Sequence, residues 1–206
     1  MKQTAVILYP RFSEYEISVA LSVLRQGGHP VVFDGLEEGP VTGEAGLRCI
    51  PDTTIDRMDL GRIDSVLVPG CDDIAYLVGA DHLFRFLADA DSAGLVLAAI
   101  SSAPYHLARA GVLDGRRYTV AFGPEQRAFL GVFDEHGYTD DPVVTDGRVL
   151  TARGPWFARF GVELGGSSAS SSTPGGTGPG RPTGSTRPGD LRGALPSGMT
   201  RPIPRF

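Results

Sequence analysis

Few residues of this 206-residue chain stand where their chemistry could be used. The most informative run is Ala98-Ala99-Ile100-Ser101-Ser102-Ala103-Pro104, where an apolar strand-like stretch meets a helix-like one almost without a connection. A sharp strand-to-helix turn crowds its neighbours and needs small residues two positions to either side, and Ala99 and Ala103 meet that need around Ser101. Such a turn pushes one side chain out at a helix start, where backbone N–H groups can hold developing negative charge. Ser101 is thus a candidate nucleophile, with the Ser102 amide beside it. The same residues also suit a plain helix cap, and the pattern alone leaves both readings open.

Glu16 has a similar double aspect. It lies three residues after Ser13, the spacing of a capping box, in which the carboxylate would only reach back to the backbone. The helix it opens also begins at the carboxyl end of the first strand-like run, so Glu16 could face Ser101. Half-buried there, its carboxyl would have a raised pKa and could act as general acid or base. Cys71 follows Pro69-Gly70 at the end of another strand-like run. It reads either as a small hydrophobe or as a thiol within reach of the same cleft. A serine hydroxyl needs a positioned base. Of His29, His82, His106 and His136, only His136, in a loop-like stretch, is a candidate for that part.

The elements that must position these groups alternate. Residues 5–9 (AVILY), 30–34, 65–68 and 95–100 read as buried strands, and 118–121 as a further short one. Ile17, Ala20, Leu21 and Leu24 mark one face of a helix over 13–28, and Leu83, Phe86, Leu87 and Ala90 mark another over 81–90. Residues 102–110 continue as helix, 41–55 suggest a hairpin, 143–144 with 148–151 a second hairpin, and 155–164 a closing helix stopped by Gly165-Gly166. Strands alternating with helices predict an α/β fold with a mostly parallel sheet and ligands at the carboxyl ends of its strands. Those ends fall at 10–13, 69–73 and 101–104.

Residues 165–206 hold 10 Gly, 7 Pro, 7 Ser and 5 Thr, with Phe206 as the single aromatic. This stretch cannot bury enough apolar surface to offset the entropy of ordering it, so a disordered C-terminal tail is expected after a domain over 1–164. The tail carries five Arg against one acid, while residues 1–164 carry 14 basic against 23 acidic residues, a net of −9. An acidic domain disfavours nucleic acid, and the longest apolar run is too short for a membrane span. The first strand is followed by Pro10-Arg11-Phe12 rather than GxGxxG, there is no GxxxxGK[ST], and Cys49 and Cys71 have no metal-ligand spacing. No cofactor and no metal are therefore expected. Two lone thiols and the lack of a signal-peptide pattern suggest the cytoplasm.

Four stretches in order, AVILYPRFSEYEISVALSVLRQGG, DSVLVPGCDD, LAAISSAPYHLARAGVLDGRRYT and VVTDGRVLTARGPWFARFGVEL, resemble the ThiJ/PfpI family of the class I glutamine-amidotransferase-like group. The resemblance covers nearly all of residues 4–164. It implies a flavodoxin-like sandwich with helices on both faces, a homodimer and a small-molecule ligand. It places the family's buried glutamate at Glu16 and its oxyanion loop at Pro69-Gly70, with Cys71 where a second glycine is usual. The family's nucleophilic cysteine falls on Ser101. The partner histidine would stand at Ser102 in some members and near Ala121 in others, and both are missing. Two functions compete on this basis. One is a small-molecule-binding or catalytically impaired member. The other is a hydrolase or lyase that acts on a small carbonyl or amide-like compound through Glu16 and Ser101, with Gly70, Cys71 and Ser102 around the oxyanion.

Overall fold

A computed structural model describes residues 2–170, with side chains from 2 to 166. The expected tail beyond residue 170 lies outside the described residues. Strand β1 (Gln3–Leu8) leads into helix α1 (Glu14–Gln26) and strand β2 (Val31–Gly35). A small antiparallel hairpin follows, β3 (Val41–Thr42) and β4 (Arg48–Cys49), and then β5 (Thr53–Thr54) and β6 (Ile63–Val68). Helix α2 (Asp81–Ser92), strand β7 (Val96–Ile100), helix α3 (Pro104–Arg109) and helix α4 (Pro124–Leu130) come next. The described chain ends in the hairpin β8 (Val143–Asp146) and β9 (Val149–Ala152) and helix α5 (Phe157–Ser170).

The main sheet has the order β5-β2-β1-β6-β7-β9-β8 and is parallel except for β8. This is the flavodoxin-like α/β sandwich that the alternation of elements predicts. From β1 the chain first builds outward through β2 and then returns to build the other way from β6. The direction of winding therefore reverses between β1 and β6. Connections diverge at such a point and leave a crevice at the carboxyl ends of the strands. Central strands are buried on both faces, as continuous apolar runs such as AVIL and VLAAI require. The second hairpin turns through Gly147 at φ +59, a conformation that favours glycine.

Two sequence expectations need correction here. Residues 118–121 form no strand; Tyr118 makes only an isolated bridge to Tyr138, and the Ala121 amide bonds the Ser101 carbonyl instead. The closing helix does not stop at Leu164 but runs to Ser170. Glycine there serves close packing rather than termination. A Cβ at Gly165 would fall 2.4 Å from Val23 Cγ1, and one at Gly161 would fall 2.5 Å from the Ala20 backbone nitrogen. The α1–α5 contact is thus built on glycine, and it fixes the helix that carries Glu16. Alanine normally stabilises a helix by about 1 kcal/mol over glycine. Here Gly161→Ala should reverse that sign and cost roughly 1–3 kcal/mol, because backbone must move to admit the methyl group. A denaturant midpoint equal to or above the parent's would contradict the close approach.

Candidate active site

Four adjacent parallel strands, β1, β6, β7 and β9, deliver one group each to the crevice. α1 brings Glu16, the loop after β6 brings Gly70, the bend after β7 brings Ser101, and the turn after β9 brings Gly154. Ser101 has φ +63, and among the described non-glycine residues only Arg11 shares that region. A left-handed conformation costs a non-glycine residue roughly 1–3 kcal/mol. It is held by the Ser101 amide donating to the Ala152 carbonyl at 2.8 Å and the Ala121 amide donating to the Ser101 carbonyl at 2.9 Å. Ala99 and Ala103 beside the bend are fully buried. Ser101 is not the helix cap that its sequence also allowed. Ala103 holds the N-cap position of α3, and its side chain makes no capping bond.

Glu16 is 1% exposed and does not close a capping box either. The Ser13 hydroxyl donates to Glu44 at 2.8 Å, and the Glu16 carboxyl turns inward. Its Oε2 accepts from the Gly70 amide at 2.7 Å, its Oε1 accepts from the Tyr15 hydroxyl at 3.3 Å, and the Ser101 side chain stands close enough to favour the charged form of the same carboxyl. A Cβ at Gly70 would lie 2.7 Å from both Glu16 Oε2 and Ser101 Cβ, and one at Gly154 would lie 3.0 Å from Glu16 Oε1 and 3.2 Å from Ser101 Oγ. Only glycine leaves room for the carboxyl and hydroxyl to meet. Burial pushes the Glu16 carboxyl above the ordinary carboxylate range, against Gly70, Ser101 and Tyr15, which pull it down.

The loop after β6 is tied down from both sides. The Ser13 amide donates to the Gly70 carbonyl at 2.8 Å, and the fully buried Tyr9 hydroxyl donates to the Pro69 carbonyl. The Gly70 N–H therefore points at Glu16 rather than into the cleft. Ser102 is 5% exposed; its hydroxyl accepts from the Cys71 amide at 3.0 Å and donates to the Cys71 carbonyl at 3.1 Å. Of the amides expected around an oxyanion, those of Gly70 and Cys71 are thus engaged within the protein. Cys71 is half-buried, and burial pushes its thiol up to about 11. Little thiolate exists there at neutral pH, so alkylation of Cys71 by iodoacetamide at pH 8 should run at least about tenfold slower than that of an unperturbed thiol. Peptide mass mapping over time measures this, and a rate equal to that of free cysteine would contradict it.

A cleft of about 440 Å³ opens beside the elbow, with Cys71 and Ser102 on its floor and Phe122, Glu125 and Phe129 along one wall. None of the four histidines lines it. His29 sits 3.2 Å from Asp64, and His82 lies on α2. His106 is fully buried among the rings of Tyr9, Phe84 and Tyr105, where burial holds it neutral down to about 3. His136, the candidate base, is exposed in the loop after α4, and its amide donates to Asp134. Among the described residues no group of three His, Cys, Asp or Glu side chains could hold a metal, and no helix is long and apolar enough to cross a membrane.

Sequence reading missed two participants. Tyr15 adds a hydroxyl to Glu16 while its ring packs edge-on against Phe157 at 5.4 Å. Gly154 was visible as the glycine of the Gly154-Pro155 pair, and its contact with Glu16 and Ser101 depends on β9 lying next to β7.

Comparison with known proteins fits this geometry. Residues 2–164 match the model of the DJ-1/PfpI family. The chain is 34% identical over 160 residues to Protein dj-1beta of Drosophila melanogaster, an alignment spanning 76% of this chain and 83% of that protein. It is 28% identical over 159 residues to a glutathione-independent glyoxalase of Caenorhabditis elegans, spanning 76% and 83%. The crystal structure of a DJ-1 superfamily protein from Agrobacterium tumefaciens superimposes with a TM-score of 0.73 at 28% identity, over 81% of this chain and 89% of that one. With the fold, the elbow and the family model in agreement, the chain belongs to the DJ-1/PfpI family.

Proposed function

We propose that this chain binds a small carbonyl compound over Glu16 and Ser101 and is impaired as a catalyst because serine stands where the family's nucleophilic cysteine is expected. The observation that carries this reading is the strained Ser101 beside a buried carboxyl, with no imidazole and no cationic side chain among the described residues that line the cleft beside it. A hydroxyl is far too weak an acid to ionise there unaided. A Glu16 carboxyl whose pKa is raised by burial can instead donate a proton to a carbonyl oxygen. The likeness to a protein named a glyoxalase supports a small carbonyl as the ligand class.

That same raised pKa favours a second reading, a slow hydrolase or lyase in which Glu16 works as acid and base on an added water or on Ser101. The two are separated by assaying the parent and Glu16→Gln on a panel of small aldehydes, amides and isocyanides, with binding followed in parallel. Impaired chemistry predicts binding with turnover near background in both proteins. Slow catalysis predicts parental turnover that falls at least roughly 100-fold in Glu16→Gln, since removal of a general acid–base group costs about that much. Turnover should also decline as pH rises through the elevated Glu16 pKa, because the donating form is lost. A panel with neither binding nor turnover would reject both.

A homodimer is part of the proposal. Leu47 and Ile50, at and beside the β3–β4 hairpin, are 55% and 82% exposed and could be covered by a second copy. The free state of Cys49 and Cys71 suits a reducing, cytoplasmic setting.

A further inference from the structure

Glu16 is 1% exposed, so its carboxyl must gain and lose protons through the groups that touch it. The Gly70 N–H on Oε2 is a peptide amide and keeps its proton. The Tyr15 hydroxyl, 3.3 Å from Oε1, belongs to a half-exposed side chain and can both donate and accept. It stands with the reacting groups, since a Cβ at Gly154 would lie 3.1 Å from the Tyr15 oxygen and 3.0 Å from Glu16 Oε1. On its outer side, the buried Ser13 hydroxyl is close enough to favour the ionised form of Tyr15. Ser13 in turn donates to the exposed Glu44 carboxylate at 2.8 Å. The β3–β4 hairpin sets Glu44 there. The Glu44 amide donates to the Phe12 carbonyl at 2.9 Å, and the Glu14 carboxylate accepts from the amides of Ala45 at 3.0 Å and Leu47 at 3.1 Å. Glu16, Tyr15, Ser13 and Glu44 therefore run from a buried carboxyl to an exposed one with a hydroxyl at each step between. Tyr9 is also coupled by charge to Glu16, but it is fully buried and its hydroxyl is committed to the Pro69 carbonyl, so it leads no proton outward.

Resting on the proposed role of Glu16 as the acid of this site, we infer that Tyr15 and Ser13 relay protons between the buried Glu16 carboxyl and the exposed Glu44 carboxylate. In the outward direction the Glu16 O–H breaks and its proton goes to the Tyr15 oxygen, the Tyr15 proton goes to the Ser13 oxygen, and the Ser13 proton goes to Glu44. One proton has then moved from Glu16 to Glu44, both hydroxyls are neutral again, and the reverse sequence reloads the acid. The phenol passes a proton without ionising, which suits a hydroxyl whose pKa is pushed up by burial and by the charge of Glu16. Tyr15, Ser13 and Glu44 act through Glu16 and are positioning residues.

The test uses the free full chain with carbon-13 in its glutamate carboxyls and needs neither ligand nor turnover. The Glu16 signal is assigned by its loss in Glu16→Gln. Its titration gives a midpoint, and its relaxation dispersion at that midpoint gives the rate of proton exchange. Tyr15→Phe keeps the ring against Phe157; it should slow exchange at least about tenfold and raise the midpoint, because a donor to the ionised carboxyl is lost. Glu44→Gln leaves an amide oxygen to accept from Ser13. It should also slow exchange, yet lower the midpoint, because a like charge is lost. The opposite midpoint shifts separate a relay from a change of acidity alone, since a stronger acid without a relay would release its proton faster. Ser101→Ala should leave the rate near the parent's. A parental rate in Tyr15→Phe or in Glu44→Gln, or slowing confined to Ser101→Ala, would overturn the relay. Slowed exchange in both relay variants of a protein that neither binds nor converts any carbonyl compound would uphold the relay and reject the proposed function, whereas parental exchange in a protein that does bind would reject the relay alone.

Discussion

Ser101→Cys should convert a nearly inert elbow into a reactive one and raise turnover of small aldehydes by roughly 100-fold or more over the parent. The reason is the acidity of the attacking group. An ordinary thiol has a pKa near 8.5 and is a few per cent ionised at neutral pH, whereas a serine hydroxyl is not measurably ionised. The surroundings favour the exchange. The φ of +63 and the bonds to Ala152 and Ala121 belong to the backbone and do not depend on the side chain. Glu16, with its carboxyl pushed up by burial, can stay protonated and donate to a thiolate where an ionised carboxylate would repel it. The two groups would titrate as a pair, so the pH–rate profile reports the pair and neither residue alone. Adding Glu16→Gln should remove most of the gain. Adding Ala121→His should enlarge it by supplying a base on the segment whose backbone amide donates to the Ser101 carbonyl at 2.9 Å. Alkylation rates by mass spectrometry and kcat/KM on the aldehydes provide the readouts. A new thiol that reacts no faster than Cys71, with turnover unchanged, would show that the elbow does not activate its central residue.

The parts of this site that could be read from sequence are those fixed by local sterics. Alanines flanking Ser101 announce a crowded bend, and apolar runs announce strands buried on both faces. What could not be read is competition between partners. Ser13 and Glu16 have the spacing of a capping box, and nothing local says that the Gly70 amide, 54 positions away, will take the carboxylate instead. Helix α4 escaped notice because Pro124–Leu130 is too short for a helical period to emerge. Its start is set by Gly123, whose amide donates to Gln126 at 2.9 Å. That short helix forms a wall of the cleft. It is held in place by Arg127, which pairs with Glu135 through two bonds of 2.8 Å and stacks 3.6 Å from the centre of the Tyr138 ring. A buried arginine in a seven-residue helix carries no sequence signature, so the wall emerges only from the assembled fold. The same holds for the glycines of α5, which read as a stop and act as a contact surface.

A different buried carboxyl should govern how stability depends on pH. Asp34, near the end of β2, is fully buried, and among the described residues neither of its oxygens has a hydrogen-bond partner. Burial, reinforced by the negative charge of Asp52, pushes its pKa up to about 7. An aspartate in the unfolded chain titrates near 3.9. Below that value both states hold the proton and Asp34 carries no penalty. Between about 4 and 7 the unfolded chain releases the proton while the folded chain keeps it, so stability falls as pH rises. Above 7 the loss levels off at roughly 4 kcal/mol, the free-energy equivalent of a shift of about three pH units. Asp34→Asn removes this titration while leaving a side chain of the same shape, so the variant should be within about 1 kcal/mol of the parent at pH 4 and roughly 2–4 kcal/mol more stable at pH 8. His106 works in the opposite sense. Neutral in the fold down to about 3, it costs stability as pH falls below its unfolded value near 6.5, in parent and variant alike, and so cancels from the difference. Urea unfolding of the two proteins across pH 4–8 supplies that difference directly. A gap that stays constant with pH would mean that Asp34 is ionised in the folded state throughout, with a counter-charge or water supplying what the buried carboxylate lacks.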